Sequence, residues 1–266
     1  MKSLILTSAA TAAVLCSSPV WALESFASYD KFTAAPIDAS KWASFERVRK
    51  IKSGMLNHIQ RDWGSTQSDA GALGVSFGTS LADPSRVTQL KATVKVASIE
   101  ATGCAANPTA SAARVRVLGT FFNTGAPTSG SMQGDVLAQV WVGRFSNSVD
   151  APGTLQVGGG VYVCQNSDCS LTTAIGQFSG LGTALLGQDV TLQLEWDKVA
   201  KTFTAVRDGS TSSSVSYTVS DGAAPGNSFK QVATRTETAA CLSGPRTTAA
   251  VDATFDNVAV NKSAKP

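Results

Sequence analysis

The sequence predicts an all-β protein of two antiparallel sheets packed face to face as a sandwich. Three observations carry this. Turn-forming clusters punctuate the chain ("NTGAPTSGS", "DAPG", "RDGSTSSS", "SDGAAPGN"), and Gly, Ser, Thr, Ala and Val dominate between and around them. Short runs between the clusters alternate apolar and polar residues with period two, as strands with one buried face do. Helical periodicity is nearly absent, and parallel strands would be apolar on both sides. No internal repeat or composition break divides the chain, so one sandwich is expected.

The chain opens "MKSLILTSAATAAVLCSSPVWALES". Lys2 precedes an apolar run from Leu4 to Leu15, and Val20 and Ala22 flank Trp21 at the two positions a signal peptidase reads. Residues 1–22 are therefore expected to be a secretory signal peptide, too short and wrongly flanked to span a membrane. Cys16 is not expected to be lipidated, because bulky Leu15 stands where a small residue is wanted. Residues 23–266 are expected to form a single β-sandwich domain, exported to the periplasm or beyond, with no membrane span. The formal net charge is +3 and the basic residues are scattered. That distribution argues against a nucleic-acid partner, which needs a basic stripe.

Four cysteines remain after the leader: Cys104, Cys164, Cys169 and Cys241. An even count in an exported chain favours two disulfides. "CQNSDC" closes a small loop over turn residues, which favours Cys164–Cys169 with Cys104–Cys241 among the three possible pairings. A metal site is the competing reading. It lacks a C-x-x-C pair and a second histidine.

The elements follow in order. The segment from Trp42 to Arg61 has mixed spacing, with room for one short turn. Within it Leu56, His58 and Gln60 alternate, and the bland reading of His58 is a surface or hydrogen-bonded histidine. In "QLKATVKVAS" Leu90, Ala92, Val94 and Val96 share one face. In "ARVRVLGTFFN" Arg114 and Arg116 share a face, available to an acidic glycan or to Glu195 across strands, with the second expected. In "GDVLAQVWVGRF" Val136, Ala138, Val140 and Val142 face the core, which puts Asp135, Gln139 and Trp141 opposite. In "VTLQLEWD" Val190, Leu192, Leu194 and Trp196 oppose Glu195 and Asp197, and "DKVAK" reads as the turn into "TFTAVRDG". "GVSFG" (Gly74 to Gly78) matches the G-x-S-x-G nucleophile elbow, but Pro84 and turn residues follow where a helix is required, and the lone His58 precedes the serine.

"YDKF…IDASKWASFERVRKIKSGMLNHIQR" near the start, "GDVLAQVWVGR" and "LQLEWDKVAKTFTAVRDG" in the middle, and the closing "ATFDNVAVN" together resemble the concanavalin A-like lectin and glucanase jelly rolls of secreted bacterial proteins. The resemblance covers most of the chain beyond the leader as a pattern. It implies a curved antiparallel sandwich whose opening segment lies beside the closing strand, and often a carbohydrate-binding role. It implies no activity by itself.

Two kinds of site follow. Asp135, Gln139 and Trp141 suit a sugar, the ring stacking on the indole while hydroxyls bond the amide and carboxylate. The rival reading is a tryptophan under a loop. Trp63, beside Asp62 and Gly64, is a second loop candidate, whereas Trp42 and Trp196 look like core. Asp30 with Asp256 and Asn257 is similar to the structural calcium site of sugar-binding jelly rolls, where the terminal strands meet and offer hard oxygen ligands. Asp and Asn also simply cap strand ends and turns. No cofactor beyond such a calcium is required.

Glu195 and Asp197 raise the question of catalysis. Same-face neighbours on a strand are about 6.5–7 Å apart along the chain, within the roughly 5–5.5 or 6.5–9.5 Å that glycosidase carboxyls need. The laminarinase-like members of the family carry E-x-D-x-E or E-x-D-x-x-E, and here Val199 and Ala200 stand where the second glutamate belongs. The expectation is thus an exported, non-catalytic module binding a polysaccharide or cell-envelope glycan. The alternatives are a divergent hydrolase or lyase using this pair, and a structural envelope protein with no small ligand.

Overall fold

Residue 28 and residues 46–264 are described in the computed structural model. The expected signal peptide, Asp30 and Trp42 lie outside the described residues. Among the described residues fourteen strands follow one another: β1 (Glu46–Lys52), β2 (Met55–Trp63), β3 (Ala72–Ser80), β4 (Gln89–Ala101), β5 (Ala112–Asn123), β6 (Asp135–Phe145), β7 (Thr154–Cys164), β8 (Thr172–Phe178), β9 (Thr183–Leu185), β10 (Asp189–Asp197), β11 (Thr202–Arg207), β12 (Thr211–Ser216), β13 (Lys230–Ala239) and β14 (Thr248–Val260). The first sheet runs β1-β2-β14-β4-β10-β11-β12. The second runs β3-β13-β5-β6-β7-β8, with β9 paired to β7. Every one of these pairings is antiparallel.

The closing "ATFDNVAV" lies on β14, paired to β2 from Trp63↔Thr248 to Leu56↔Phe255. The early and last strands therefore meet in one sheet. The short turn expected between Trp42 and Arg61 is a whole hairpin. β1 and β2 join through Ser53 (φ 52°) and Gly54 (φ 80°), and two successive left-handed residues make the tight turn that matches strand twist. "DKVAK" is a hairpin turn as read, with the Asp197 carboxylate accepting the amides of Val199 and Ala200, both at 2.9 Å.

The period-two runs form the core. Leu90, Ala92, Val94 and Val96 of β4, Val136, Ala138, Val140 and Val142 of β6, and Leu192 and Leu194 of β10 are all buried in one apolar cluster between the sheets. Each fully buried Val or Leu contributes roughly 1.5–3 kcal/mol over its exposed state. At one end a register shift between Thr120 and Phe122 makes Phe121 an extra residue in β5, so consecutive phenylalanines both enter the core. There Phe122 stacks on Trp196 (5.4 Å) and Phe121 meets Phe203 edge-on (5.1 Å).

The opposite end of the interface is polar. His58, Gln60 and Asp62 of β2 are wholly buried, facing Thr234 and Thr236 of β13. Gln60 Nε2 donates to Asp62 Oδ2 (2.8 Å) and Thr236 Oγ1 (2.9 Å), and Thr234 Oγ1 donates to Gln60 Oε1 (2.8 Å). Arg47 Nη2 closes the set on Asp62 Oδ1 at 2.9 Å. A buried carboxylate is tolerable only when paired and hydrogen-bonded in this way. His58 is the hydrogen-bonded histidine expected, with Nε2 2.9 Å from Thr79 Oγ1 and its ring between Phe77 and Phe255.

Candidate functional site

The outward face of the second sheet gathers the polar and aromatic side chains. Val115 and Val117 of β5, and Ala138 and Val140 of β6, point into the core. Their strand neighbours Arg114, Arg116, Leu118, Gln139 and Trp141 therefore point away from it. Register sets them in rows. One row is Gly78, Ala233, Arg116, Trp141 and Gly158 across β3, β13, β5, β6 and β7. The next is Ser80, Gln231, Leu118, Gln139, Gly160 and, on β8, Gln177.

A cleft of about 710 Å³ opens over the β3, β13 and β5 end of this face. Ser76, Arg116, Leu118, Gln231 and Arg235 pave it, and Met132, Asp168–Ser170, Asn227 and Phe229 wall it. The Cys164–Cys169 disulfide closes the small loop that carries part of that wall. The second bridge is Cys104–Cys241, so the favoured pairing is the one found.

Arg116 defines the cleft's electrostatics. It is only 3% exposed, with Nη1 donating to Gln139 Oε1 at 3.0 Å and Nη2 to Ser76 Oγ. Its Nε is buried with no hydrogen-bond partner. Nearby, Glu237 takes Arg114 Nη2 on one oxygen and Arg235 Nε on the other (2.8 Å). One carboxylate thus serves two guanidiniums, and Arg116 hydrogen-bonds only neutral oxygens. Burial above all, and then Arg235 and Arg114, hold Arg116 well below the usual arginine pKa. Because arginine stays charged regardless, that shift measures a cost to the folded chain. Burial pushes Glu237 up, but Arg114 and Arg235 outweigh it and leave its carboxyl below the ordinary range. The expected pairing of Arg114 and Arg116 with Glu195 is not formed, because Glu195 lies on β10 in the other sheet.

Trp141 is half-buried and pairs with Arg116 across β5 and β6, on the β7 side of the residues that line the cleft. Its indole rests on Gly158, where a Cβ would come within 2.8 Å of Cζ2, so only glycine lets the ring lie down on β7. Arg114 stands 5.6 Å from the ring centroid and Phe145 meets it edge-on at 5.6 Å. Gln139 is 8% exposed and committed to Arg116 through its oxygen.

Two expected sugar contacts are corrected. Asp135 is fully buried, and its carboxylate accepts Asn123 Nδ2 (2.8 Å) and the amides of Gly226 (2.7 Å) and Asn227 (2.9 Å). It faces outward by parity, yet the 226–227 loop folds over it, so it ties the cleft wall down. Trp63 is not a loop platform but 5% exposed at the end of β2, with Arg246 5.7 Å from its ring. Ser76, the serine of the elbow-like motif, sits mid-strand on β3 opposite Arg235, where its hydroxyl accepts from Arg116.

Glu195 and Asp197 lie on the outer face of the first sheet, Asp197 exposed and Glu195 engaged by Gln193. Asp256 and Asn257 sit on an exposed irregularity of β14, Asp256 Oδ1 accepting the Asn257 amide at 2.7 Å. Among the described residues, the one cluster of three metal-ligand types is Asp69 with Cys104 and Cys241, whose sulfurs are spent in a disulfide. Among the described residues no carboxylate set for a hard cation assembles around Asp256.

No family model and no curated protein matches the chain. Among solved structures, it is similar to the exoplasmic/lumenal domain of VIP36 bound to Ca²⁺ and Man₃GlcNAc (9% identity, TM-score 0.35, covering 82% of this chain and 84% of that one). It is also similar to a β-porphyranase from the human gut bacterium Bacteroides plebeius (11%, 0.35, 80% and 79%) and to a legume lectin-like domain from Entamoeba histolytica (7%, 0.31, 81% and 90%). These are concanavalin A-like jelly rolls, the class the sequence resembles.

Proposed function

We propose that this chain is an exported, non-catalytic glycan-binding module whose ligand lies in the cleft over the second sheet. The observation that carries the reading is the paved floor. Arg116 and Ser76 line it, held in fixed positions with Gln139 behind them, and Trp141 offers a partly open indole on the same outward face. A concave polar floor beside an aromatic ring is what a sugar needs for orientation and stacking. A polysaccharide or cell-envelope glycan is the ligand class. Any calcium would be structural, held by Asp256 and Asn257, on β14 of the first sheet, together with Asp30.

Catalysis by Glu195 and Asp197 is disfavoured by their use. Asp197 caps its own turn and Glu195 is tied to Gln193. A glycan array probed with the oxidised protein, with calcium and again with chelator, tests the reading. Retention of one polysaccharide class, lost in Trp141→Ala, is expected. A blank array under both conditions ends the glycan reading and favours a structural envelope role.

A further inference from the structure

We infer that the ligand of this cleft is an acidic glycan whose carboxylate or sulfate group seats against Arg116 and Arg235; this rests on the glycan-binding reading above. Three guanidiniums (Arg114, Arg116 and Arg235) share this face with one nearby carboxylate, Glu237, whose two oxygens are taken by Arg114 and Arg235. Among the described residues Arg116 is therefore a buried cation without an anionic hydrogen-bond partner, and its Nε points a hydrogen to nothing. Leaving a buried charge uncompensated is among the costlier arrangements a fold can keep. A neutral sugar hydroxyl would leave that charge as it is, whereas an anion would neutralise it with the charge-assisted bonds guanidinium makes best.

The surroundings agree. Arg116 and Arg235 both line the cleft, and its one acidic lining residue among those described is Asp168. That carboxylate is turned into its own loop, accepting the Ser170 amide at 3.1 Å.

The test titrates the oxidised full chain with polygalacturonate and its carboxyl-reduced form, and with κ-carrageenan and its desulfated form. At least one charged polymer is expected to bind tenfold or more tighter than its neutral counterpart, and the pair that shows the preference identifies carboxylate or sulfate. Arg116→Met and Arg235→Gln should each abolish that preference. Arg235 is partly exposed, so its variant keeps the test decisive if Arg116→Met fails to fold. Lys91→Gln, on the outer face of the first sheet, should leave it unchanged. Equal binding of charged and neutral forms overturns the acidic-ligand inference and spares the glycan reading. A loss in Lys91→Gln matching that in Arg235→Gln also overturns it, since attraction would then be diffuse. Failure to bind any of the four, with a blank glycan array, overturns both.

Discussion

Asp135 and Asn227, 92 residues apart, are joined by a 2.9 Å hydrogen bond from the Asn227 amide to the buried Asp135 Oδ2. With the Gly226 amide and Asn123 Nδ2 on the other oxygen, one carboxylate fixes the loop that walls the cleft. Asp135→Ala strands these donors, so we expect a loss of about 2–3 kcal/mol, read as a lower urea midpoint. Amide exchange at 226 and 227 should accelerate more than in the core of β6. An unchanged midpoint would mean that water replaces the carboxylate without cost.

Arg116→Met should raise the stability of the ligand-free protein. The substitution removes a desolvated cation and keeps an unbranched side chain against Leu118 and Gln139. Replacing buried charge by apolar volume is commonly stabilising by about 1–4 kcal/mol. Ser76 loses a partner but lines the cleft, where water can reach it, so only the buried Gln139 oxygen is left without its donor. A lowered urea midpoint would show that the Gln139 and Ser76 bonds outweigh the desolvation of Arg116.

Alternation along each strand was enough to assign faces. Val136 to Val142 inward and Trp141 outward follow from parity alone, as does the cap-like place of Asp197 from "DKVAK". Depth does not follow from parity. Asp135 shares the Trp141 face but is covered by a loop from beyond β12, and Trp63 is covered by residues near β14. The cleft was illegible for a related reason. Ser76, Arg116 and Arg235 come from strands far apart in the chain, and their adjacency depends on the order β3-β13-β5, which short-range pattern does not encode. The burial of His58, Gln60 and Asp62 is equally beyond short-range pattern, because Thr234 and Thr236, which cover them, arrive from the other sheet.

The two disulfides should separate stability from binding. Cys104–Cys241 spans 137 residues, and crosslinks over long loops restrict the unfolded chain most, typically by about 2–4 kcal/mol. Cys104→Ala with Cys241→Ala should therefore lower the melting temperature clearly. Cys164–Cys169 spans 5 residues and should cost less globally on removal. Its loop lines the cleft through Asp168, Cys169 and Ser170, so glycan affinity should fall at nearly constant melting temperature. A larger stability loss from the short bridge would contradict this division.

His58 should make stability fall as pH drops from about 6.5 towards 4. Burial chiefly, then the nearby Arg49 charge, lowers its pKa from 6.5 to about 4. The unfolded chain thus binds a proton in that window which the folded chain refuses, so the slope of stability with pH is positive there. The full effect, reached near pH 4, is about 3 kcal/mol at 1.36 kcal/mol per pH unit. The groups around the ring are Arg49, which also packs on Phe77 (5.8 Å), the neutral Thr79, and the rings of Phe77 and Phe255. Glu237, Asp69, Asp83 and Asp168 have pKa values depressed below ordinary carboxylates, so their contributions are lost only at lower pH. Urea midpoints measured between pH 5 and 6.5 isolate the histidine. His58→Gln should flatten that interval, with a lower midpoint at pH 7 from imperfect packing between the two phenylalanines. A wild-type curve already flat from pH 5 to 6.5 would mean that the imidazolium finds a partner inside the sandwich.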